Sequence, residues 1–359
     1  MRGGAERVLE ELTQVFPDAP VYTLEAERGI LLDGKQVAVS FLRRVPRIFR
    51  HRLWSLPLSP IAAETFDLSA RDVVISSSSA FAKGVVTRPN TLHICYCHAP
   101  TRFLWDAYPE ILGELNPGTL RRGTLQLTLH VLRLWDRAAA RRVDFFIANS
   151  ETTKARIRKY YGSDATVIAP PVDVERFRQW NKSGAKRARQ YFLFIGRLSP
   201  YKGTRLAIQA FNKLELPLVV AGRGRELSQL KKIADNTIAF HGFVPDAELP
   251  SLYAGARAVI FPSDDDFGIV PVEAMASGTP VLALRRGGAT ETIIEGVTGE
   301  FFDEPMEELV ADCVRRFLEK EGTYSVAAMQ ETSARFSSQN FQKNIRTFVE
   351  QAWEVWQRQ

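Results

Sequence analysis

The sequence predicts an α/β protein made of two doubly wound domains, and three observations lead to this fold class. The chain has 359 residues, which suits two domains at roughly 100–200 residues each. Hydrophobic residues make up 45% of it, enough for each half to bury a core. Short apolar runs of strand length alternate with longer helical patterns, which is the order of parallel βαβ units.

The apolar patterning places the individual elements. Strands are predicted over 20–24, 37–41, 72–76, 92–95, 144–148, 166–168, 191–195, 218–221, 238–240, 258–261, 281–283 and 299–302. Apolar residues at helical spacing are clearest over 120–142, 204–213, 247–254 and 268–276. The regular alternation indicates a mainly parallel sheet in each half.

The chain is expected to divide after residue 170. Pro170 and Pro171 remove two backbone donors, and the polar, basic segment over 176–190 is expected to stay outside a core. We therefore predict an amino-terminal domain over 1–170, a carboxy-terminal domain over 171–335, and a final helix over 336–359 docked on either of them. Ligands of doubly wound folds bind beyond the carboxyl ends of the strands, so a cleft between the domains is the expected site.

Positive charge is concentrated in the first half of the chain. The net charge is +6, and residues 1–170 carry 23 Lys and Arg against 17 Asp and Glu, whereas residues 171–359 carry 24 of each class. This excess suits an anionic partner or membrane surface, although diffuse surface charge is equally compatible with it. It is modest and comes without a nucleic-acid reading motif, so no nucleic-acid partner is expected.

A basic amphipathic segment over 41–58 is the main candidate for peripheral association with an anionic membrane. Its apolar residues are interleaved with Arg43, Arg44, Arg47, Arg50 and Arg52. A segment packed on its own domain with solvated arginines explains the pattern equally well. No run of 18 apolar residues and no signal peptide is seen, and the three sparse cysteines fit a reducing compartment. We expect a cytoplasmic protein, peripheral at most to the inner face of the plasma membrane.

The amino terminus resembles a phosphate-binding turn. Gly3 and Gly4 precede a helical pattern over 6–16, as in a strand-to-helix turn, yet no strand comes before them. This favours a full-length protein that begins further upstream, and the alternative is that Met1 is the natural start.

Several strand ends of the second half carry residues suited to a phosphorylated ligand. Arg197 follows Gly196, and Lys202 lies five residues later, so both cations are expected to converge on one anion, with solvated surface charge as the alternative. Gly222 leaves space for a ligand or simply makes a tight turn. Val244 ends the short run over 241–244. This run either contacts a nucleobase through its main chain or forms part of the core and a turn.

The segment over 262–278 carries the strongest local signal. An acidic turn leads into a helix that begins near Gly268, and unpaired amides at a helix N-terminus bind anions. Pro271 is tolerated in the first turn. Glu273 is expected at the same opening, where it accepts hydrogen bonds from ribose hydroxyls, and Asp265 lies eight residues before it. Metal binding by the three consecutive aspartates is the alternative, but helix capping explains them more simply.

Taken in chain order, these motifs resemble the nucleotide-sugar glycosyltransferases of family 4, retaining enzymes with the two-Rossmann GT-B fold. The resemblance rests on Gly-Gly-x-Glu at the start, Gly196-Arg197 with Lys202-Gly203, and Asp265-x7-Glu273 with Phe267-Gly268. The segments 96–106 and Pro200–Lys202 are similar to bacterial mannosyltransferases of O-antigen and exopolysaccharide assembly. Two departures stand out: the first acid of the x7 motif is Asp where the family usually has Glu, and the first strand is missing.

The resemblance implies roles for the matching residues. Arg197, Lys202 and the amides of Gly268, Ile269 and Val270 would bind the donor diphosphate, and Glu273 the ribose. Asp265 would contact the donor sugar, and His98 the sugar or the acceptor. The remaining donor-site residues would be Gly3, Gly4, Gly196, Gly222, Val244 and Phe267.

The implied activity is that of a retaining hexosyltransferase. We expect mannose from GDP-mannose to pass to a lipid-linked glycan or similar acceptor. Fixed cations replace a metal ion, so neither a metal nor a cofactor beyond the donor is expected. The alternatives are a nucleotide-sugar 2-epimerase, which needs no acceptor, and a catalytically degenerate nucleotide-sugar-binding protein.

Overall fold

A computed structural model describes residues 4–25, 31–32, 35–44, 56–109, 112, 119–182 and 189–358. Its contacts divide the chain into two units. The carboxy-terminal unit comprises Pro170–Phe341 together with Gly4, and the amino-terminal unit comprises Ala5–Ala169 and Gln342–Gln359. Both units are α/β with parallel sheets, which confirms the predicted fold class.

The amino-terminal unit contains two small sheets. Its elements are α1 (Gly4–Val15), β1 (Val21–Thr23), β2 (Leu31–Leu32), β3 (Lys35–Val39), α2 (Leu58–Glu64), β4 (Val73–Ser78), β5 (Leu92–Cys97), α3 (Thr119–Ala140), β6 (Phe145–Ala148), α4 (Glu151–Tyr161) and β7 (Ala165–Val167). Strands β4-β5-β6-β7 form a parallel sheet, while β3 pairs with β1 in parallel and with β2 in antiparallel fashion.

The carboxy-terminal unit is built on one six-stranded sheet. Its elements are α5 (Val174–Lys182), β8 (Tyr191–Ile195), α6 (Thr204–Leu214), β9 (Leu218–Ala221), α7 (Leu227–Ile233), β10 (Ile238–Gly242), α8 (Leu249–Ala254), β11 (Ala256–Phe261), α9 (Ile269–Ala276), β12 (Val281–Leu284), α10 (Ala289–Thr292), β13 (Gly299–Phe302), α11 (Glu307–Lys320) and α12 (Val326–Ala334). The last helix, α13 (Ser338–Gln357), begins in this unit and belongs to the amino-terminal unit from Gln342 onward. Helices α6 and α11 cover one face of the sheet with Phe211 and Phe317, which meet Phe192 of β8.

The strand order of this sheet creates a topological switch point. The order is β10-β9-β8-β11-β12-β13, and every pairing is parallel. The chain moves outward from β8 to β10, returns to the other side of β8 at β11, and then moves outward again. In such sheets ligands bind at the carboxyl ends of the strands where the order reverses. The ends of β8 and β11 are therefore the expected site in this unit.

The last helix, α13, packs its apolar stripe on the amino-terminal unit. Ile345, Val349 and Ala352 are buried, and the ring of Phe348 meets the ring of Phe145 edge-on at 6.5 Å between centroids. Near the start of this stripe, Gln342 donates a hydrogen bond to Glu11 of α1 at 2.6 Å.

Part of the segment over 176–190, which is predicted to stay outside a core, is in fact packed into the protein. Val174–Lys182 is a helix, and the side chain of Phe177 is fully buried, with its ring edge-on to Tyr253 at 5.7 Å. The many charges of this segment concealed one apolar face with Val174 and Phe177 at helical spacing. The rest of the predicted linker, 183–188, lies outside the described residues.

Cys95, Cys97 and Cys313 are buried free thiols. Within the described ranges, none of the helices combines the length and the apolar character needed to cross a bilayer.

Candidate functional site

Five loops meet at the carboxyl edge of the six-stranded sheet. Because all strands are parallel, the segments that follow β8, β9, β10, β11 and β12 leave the sheet on the same side. These segments contain the sequence-predicted residues Gly196, Arg197, Lys202, Gly222, Val244, Asp265, Phe267 and Gly268.

Lys202 and Asp265 form an ion pair that joins the loops after β8 and β11. The Lys202 Nζ lies 2.5 Å from Asp265 Oδ2, and the two side chains keep 20% and 18% of their surface exposed. The ammonium also lies 5.1 Å from the centre of the Tyr201 ring. Gly203, with φ of 68°, passes close to Pro262, because a methyl group there would come within 2.9 Å of the Pro262 carbonyl oxygen. The close packing of Gly203 on Pro262 holds the two loops together, while the paired side chains of Lys202 and Asp265 remain accessible to solvent.

Arg197 lies at the same edge but is not held. It directly follows Gly196 at the end of β8, and its side chain is exposed. It makes no ion pair with any residue that the structure describes. The structure therefore brings Lys202 and Asp265 together, and Arg197 is an exposed cation on the same loop as Lys202. The convergence of both cations on one anion stays a prediction.

Helix α9 begins beside this pair and presents backbone donors. Gly268 precedes it with φ of 79° and, as the N-cap residue, has no side chain with which to cap the helix. Ile269 and Val270 occupy the first two positions and are half-buried, while Pro271 has no amide hydrogen to offer. The amides of a first helical turn and the positive end of the helix dipole favour an anion.

Glu273 differs from its prediction as a carboxylate at an open mouth. It is 2% exposed, and its Oε2 accepts a hydrogen bond of 2.7 Å from the Tyr253 hydroxyl. The cause is the burial of α9, in which every residue from Pro271 to Ala276 is enclosed.

Gly196 and Gly222 serve different purposes. At Gly222, φ is 138°, and a methyl group would lie 1.8 Å from the Gly196 carbonyl oxygen, so the packing of the protein itself requires glycine. At Gly196, a methyl group would meet nothing nearer than Phe194 Cζ at 3.8 Å. The packing of the protein therefore accounts for glycine at position 222, as the tight-turn alternative expects, whereas the space beside Gly196 is open.

Two predicted donor-site side chains point into the protein. Val244 is buried, so it can offer a ligand only its main chain. The ring of Phe267 is buried edge-on against Phe336, with 5.4 Å between centroids. Beside Val244, the exposed ring of Phe243 lies 5.3 Å from the guanidinium of Arg223.

The sequence reasoning missed Gly287 and Gly288, which support the acidic loop from the end of β12. The Gly288 amide donates to the Asp265 carbonyl oxygen at 2.9 Å, and a methyl group on Gly287 would come within 2.3 Å of the same oxygen. The signal was present as two adjacent glycines directly after a strand. Ser199 was also missed: its buried hydroxyl has no hydrogen-bond partner in the part of the chain described here.

His98 lies in the amino-terminal unit at the end of β5. Its Nε2 is 2.8 Å from Ser77 Oγ, and its carbonyl oxygen accepts a hydrogen bond of 2.8 Å from Asn149. Burial lowers the pKa of His98 to about 4, so its imidazole is neutral at pH 7. In that form it offers one donor and one acceptor, and no charge.

A second lysine–aspartate pair, absent from the sequence predictions, lies next to the segment that follows His98. Lys83 Nζ is 2.5 Å from Asp136 Oδ1, and these side chains are only 2% and 0% exposed. Asp136 also accepts hydrogen bonds from the side chains of Thr101, Trp105 and Tyr161. We call these five residues the Asp136 cluster.

Some predicted residues receive no structural test. Gly4 begins α1, while Gly3 lies outside the described residues, as do Arg47, Arg50 and Arg52 of the basic segment. Across the described ranges, no group of three or more His, Cys, Asp or Glu side chains is arranged to hold a metal ion.

Two family models match adjoining parts of the chain. "Glycosyltransferase Family 4" matches residues 2–176, and "Glycosyl transferases group 1" matches residues 175–341. Together they cover both units. With the two parallel α/β units, these matches show the GT-B fold.

Individual relatives agree with this class. The D-inositol 3-phosphate glycosyltransferase of Corynebacterium urealyticum is 27% identical over 273 residues, which is 67% of this chain and 64% of that protein. The lipopolysaccharide 1,2-N-acetylglucosaminetransferase of Salmonella typhimurium is 34% identical over 181 residues, 44% of this chain and 47% of that protein. The chain spans about half the length of the curated relatives it matches.

A solved structure supports the fold across the whole chain. The Anabaena protein HepE in complex with UDP-glucose matches with a TM-score of 0.68 and 20% identity, covering 98% of this chain and 97% of that one. This likeness shows the fold, and it agrees with the two glycosyltransferase models that match residues 2–176 and 175–341.

Proposed function

We propose that this protein transfers a hexose, with retention of anomeric configuration, from a nucleoside diphosphate sugar to a hydroxyl group of an acceptor. The observation that carries the proposal is the Lys202–Asp265 pair, which joins the loop after β8 to the loop that leads into α9 at the switch point of the sheet. In this proposal Lys202, the exposed Arg197 and the amides of Ile269 and Val270 bind the diphosphate.

In this proposal the chemical step is driven by charge stabilisation. The bond between sugar C1 and the diphosphate oxygen breaks, and its electron pair stays on that oxygen. The acceptor oxygen forms the new bond to C1 on the same face, and its proton passes to an oxygen of the leaving phosphate. Lys202, Arg197 and the amides of Ile269 and Val270 stabilise the charge that develops on the diphosphate.

The carboxylates and the histidine would orient the substrates. Asp265 is one methylene shorter than glutamate and is fixed by Lys202, and we assign it to the hydroxyls of the donor sugar. The neutral His98 would exchange hydrogen bonds with the sugar or the acceptor. Glu273 remains our prediction for the ribose, where it would act together with the Tyr253 hydroxyl.

The names of the relatives favour a uridine donor over the expected GDP-mannose. HepE was solved with UDP-glucose, and the Salmonella relative is named as an N-acetylglucosaminetransferase. In this chain, the Phe243 ring with Arg223 over it provides a flat surface beside the main chain of Val244, which suits a nucleobase. We therefore propose a UDP-hexose first and keep GDP-mannose as the competing donor. The lipid-linked glycan acceptor stays a prediction.

A thermal-shift panel tests the donor. UDP, GDP and ADP, their hexose conjugates, the matching nucleosides and hexose 1-phosphates are added separately to the full chain. We expect one nucleoside diphosphate and its sugar to raise the Tm, since a ligand that binds only the folded state stabilises it. Nucleosides and sugar phosphates alone should have little effect. A panel in which no nucleoside diphosphate raises the Tm would contradict the proposal.

The stabilising donor is then incubated with and without acceptor mixtures. Retention at C1 in a transferred product supports the proposal, and an inverted anomer or a 2-epimer of the free donor contradicts it. Because lysine and arginine side chains would balance the diphosphate charge, we expect turnover to survive thorough chelation by EDTA. Loss of turnover that is restored by a divalent cation would overturn the metal-free mechanism.

A further inference from the structure

Helix α3 carries an outward-facing apolar stripe, which we define as Leu127, Val131 and Leu134. Their side chains are 65%, 55% and 60% exposed. The spacing of four and then three residues places them on one face of the helix, where Ala138 continues the stripe. Three large apolar side chains exposed side by side form a patch, which is unlike scattered single exposed residues and indicates a binding surface.

The orientation of α3 is fixed by its opposite face. Leu129 and Leu132 are buried and pack with Leu104, and Asp136 is held by the donors of its cluster. The helix therefore cannot turn the stripe inward without breaking a buried ionic network. The packing of the buried face of α3 fixes the stripe in its outward direction.

The charged residues in α3 and at the two positions after it are basic, apart from one buried acid. Residues 119–142 contain six arginines and a single acidic residue, Asp136, which is buried against Lys83. Leu134, Ala138, Arg137 and Arg141 line one shallow depression. Both of these arginines are exposed, and neither makes an ion pair with any residue in the described ranges.

We infer that this face of α3 binds the surface of a bilayer that contains anionic phospholipid. The stripe would enter the boundary between headgroups and acyl chains, while Arg137 and Arg141 meet phosphate groups. Each cation near such a surface adds to the attraction. This goes beyond the proposed function, and it does not depend on the donor chemistry or on the basic segment over 41–58.

Charge decides between a bilayer and a second copy of the chain. A dimer through this stripe would bring together two copies of a helix whose exposed charged side chains are arginines, and like charges oppose such a contact. A lipid surface supplies both the apolar layer and the anions that the face lacks.

Vesicle sedimentation of the full chain tests the inference. The lipids are phosphatidylcholine alone or mixed with phosphatidylglycerol, and we expect binding to the mixture only. Replacing the stripe by Leu127→Ser, Val131→Ser and Leu134→Ser, or reversing charge by Arg137→Glu and Arg141→Glu, should reduce the partition coefficient by about tenfold or more. The matched control is Met306→Ser, Val326→Ser and Val355→Ser, whose side chains are 53%, 41% and 47% exposed on other elements. The control should bind like the wild type.

A site-specific probe reports which face enters the lipid. The three native cysteines are buried, so an environment-sensitive dye can be attached selectively at Val131→Cys or, as a control, at Val326→Cys. Brightening on anionic vesicles at position 131 alone supports the inference. Equal binding by the wild type and all variants, no binding by the wild type, or a dimer in analytical ultracentrifugation that the stripe variant dissociates would each overturn it.

Discussion

The two lysine–aspartate pairs of this protein have the same length and opposite surroundings. In both pairs a lysine nitrogen lies 2.5 Å from a carboxylate oxygen, and in both the lysine lies in a loop that follows a strand. Lys83 and Asp136 are almost completely buried, and Asp136 has three further donors. Lys202 and Asp265 keep about a fifth of their surface exposed.

The difference separates a structural pair from an exchangeable one. A buried charge that loses its partner cannot be rescued by water, so the Asp136 cluster has to stay intact for the amino-terminal unit to hold its loops. A pair that water reaches contributes little to stability, and its lysine can leave the aspartate for a ligand anion at small cost. Distance alone does not show which lysine is available for binding.

Asp136→Ala is expected to give the largest effect on stability. It would leave Lys83 buried without a counter-charge and would strip Thr101, Trp105 and Tyr161 of a shared acceptor. We expect the free energy of unfolding to fall by about 3–5 kcal/mol in denaturant titrations. Asp265→Ala is the matched control and should change it by no more than about 1 kcal/mol. Equal losses in both variants would remove the distinction.

Gly222 and Gly196 of the carboxy-terminal unit differ in the space that each leaves for a side chain. Gly222→Ala would place a methyl group 1.8 Å from the Gly196 carbonyl oxygen and should cost about 1–3 kcal/mol of stability. Gly196→Ala meets only Phe194 at 3.8 Å and should leave stability within about 0.5 kcal/mol, yet weaken binding of the donor. Chemical denaturation and calorimetric titration measure the two effects. A destabilised Gly196→Ala with normal donor affinity would contradict the assignment.

Strands and helices were predictable from the sequence only where the apolar pattern is clear. Strands β8 and β9 begin and end at the predicted residues, because each is an apolar run with a polar residue or proline before it and a glycine after it. Strand β13 also has the predicted bounds, although it includes the buried Glu300. The burial of helix α5 was not predictable, because its charged residues outnumber Val174 and Phe177, the two residues of its buried face. Periodicity is a strong signal only where the apolar face is wide.

For the site, residue types were predictable and partners were not. Lys202 and Asp265 were each singled out from local motifs, but their pairing joins positions 63 residues apart and depends on the strand order. Lys83 gave no local signal, because its side-chain partners Thr101 and Asp136 come from two distant segments of the chain. The burial of Glu273 likewise follows from the packing around α9 rather than from its motif.

Acid should destabilise the amino-terminal unit first. Burial lowers the pKa of His93 from 6.5 to about 4, and the same cause acts on His98. Between those pH values the unfolded chain binds more protons than the folded one, so stability is complete above pH 6.5 and falls as the pH drops. The slope is up to about 1.4 kcal/mol per pH unit for each histidine.

His93→Gln should flatten this slope between pH 7 and pH 5, measured as the free energy of unfolding at each pH. Exposed His241 supplies the control, because His241→Gln should leave the slope unchanged. A slope that both substitutions change equally would show that burial of His93 is not the cause.

Asp265→Asn should give the smallest effect. It should strengthen the binding of a nucleoside diphosphate and lower turnover. The change frees Lys202 from its internal partner, and the affinity for a nucleoside diphosphate should rise a few-fold, since an accessible pair is worth about 1 kcal/mol or less. Turnover should fall because the contact to the sugar is lost. Affinity is measured by calorimetry and turnover by release of the nucleoside diphosphate. A weaker diphosphate complex in this variant would show that Asp265 does not compete for Lys202.

Calorimetric titration of Lys202→Ala with a nucleoside diphosphate and with its nucleoside tests the central claim most directly. Lys213→Ala is the control, because Lys213 also forms carboxylate ion pairs in the carboxy-terminal unit, with Glu307 and Glu308. We expect Lys202→Ala to lose about 10–100-fold of the affinity that the diphosphate adds over the nucleoside, with no change in nucleoside binding. Lys213→Ala should match the wild type. Undiminished diphosphate affinity in Lys202→Ala, or the same loss in Lys213→Ala, would contradict the account.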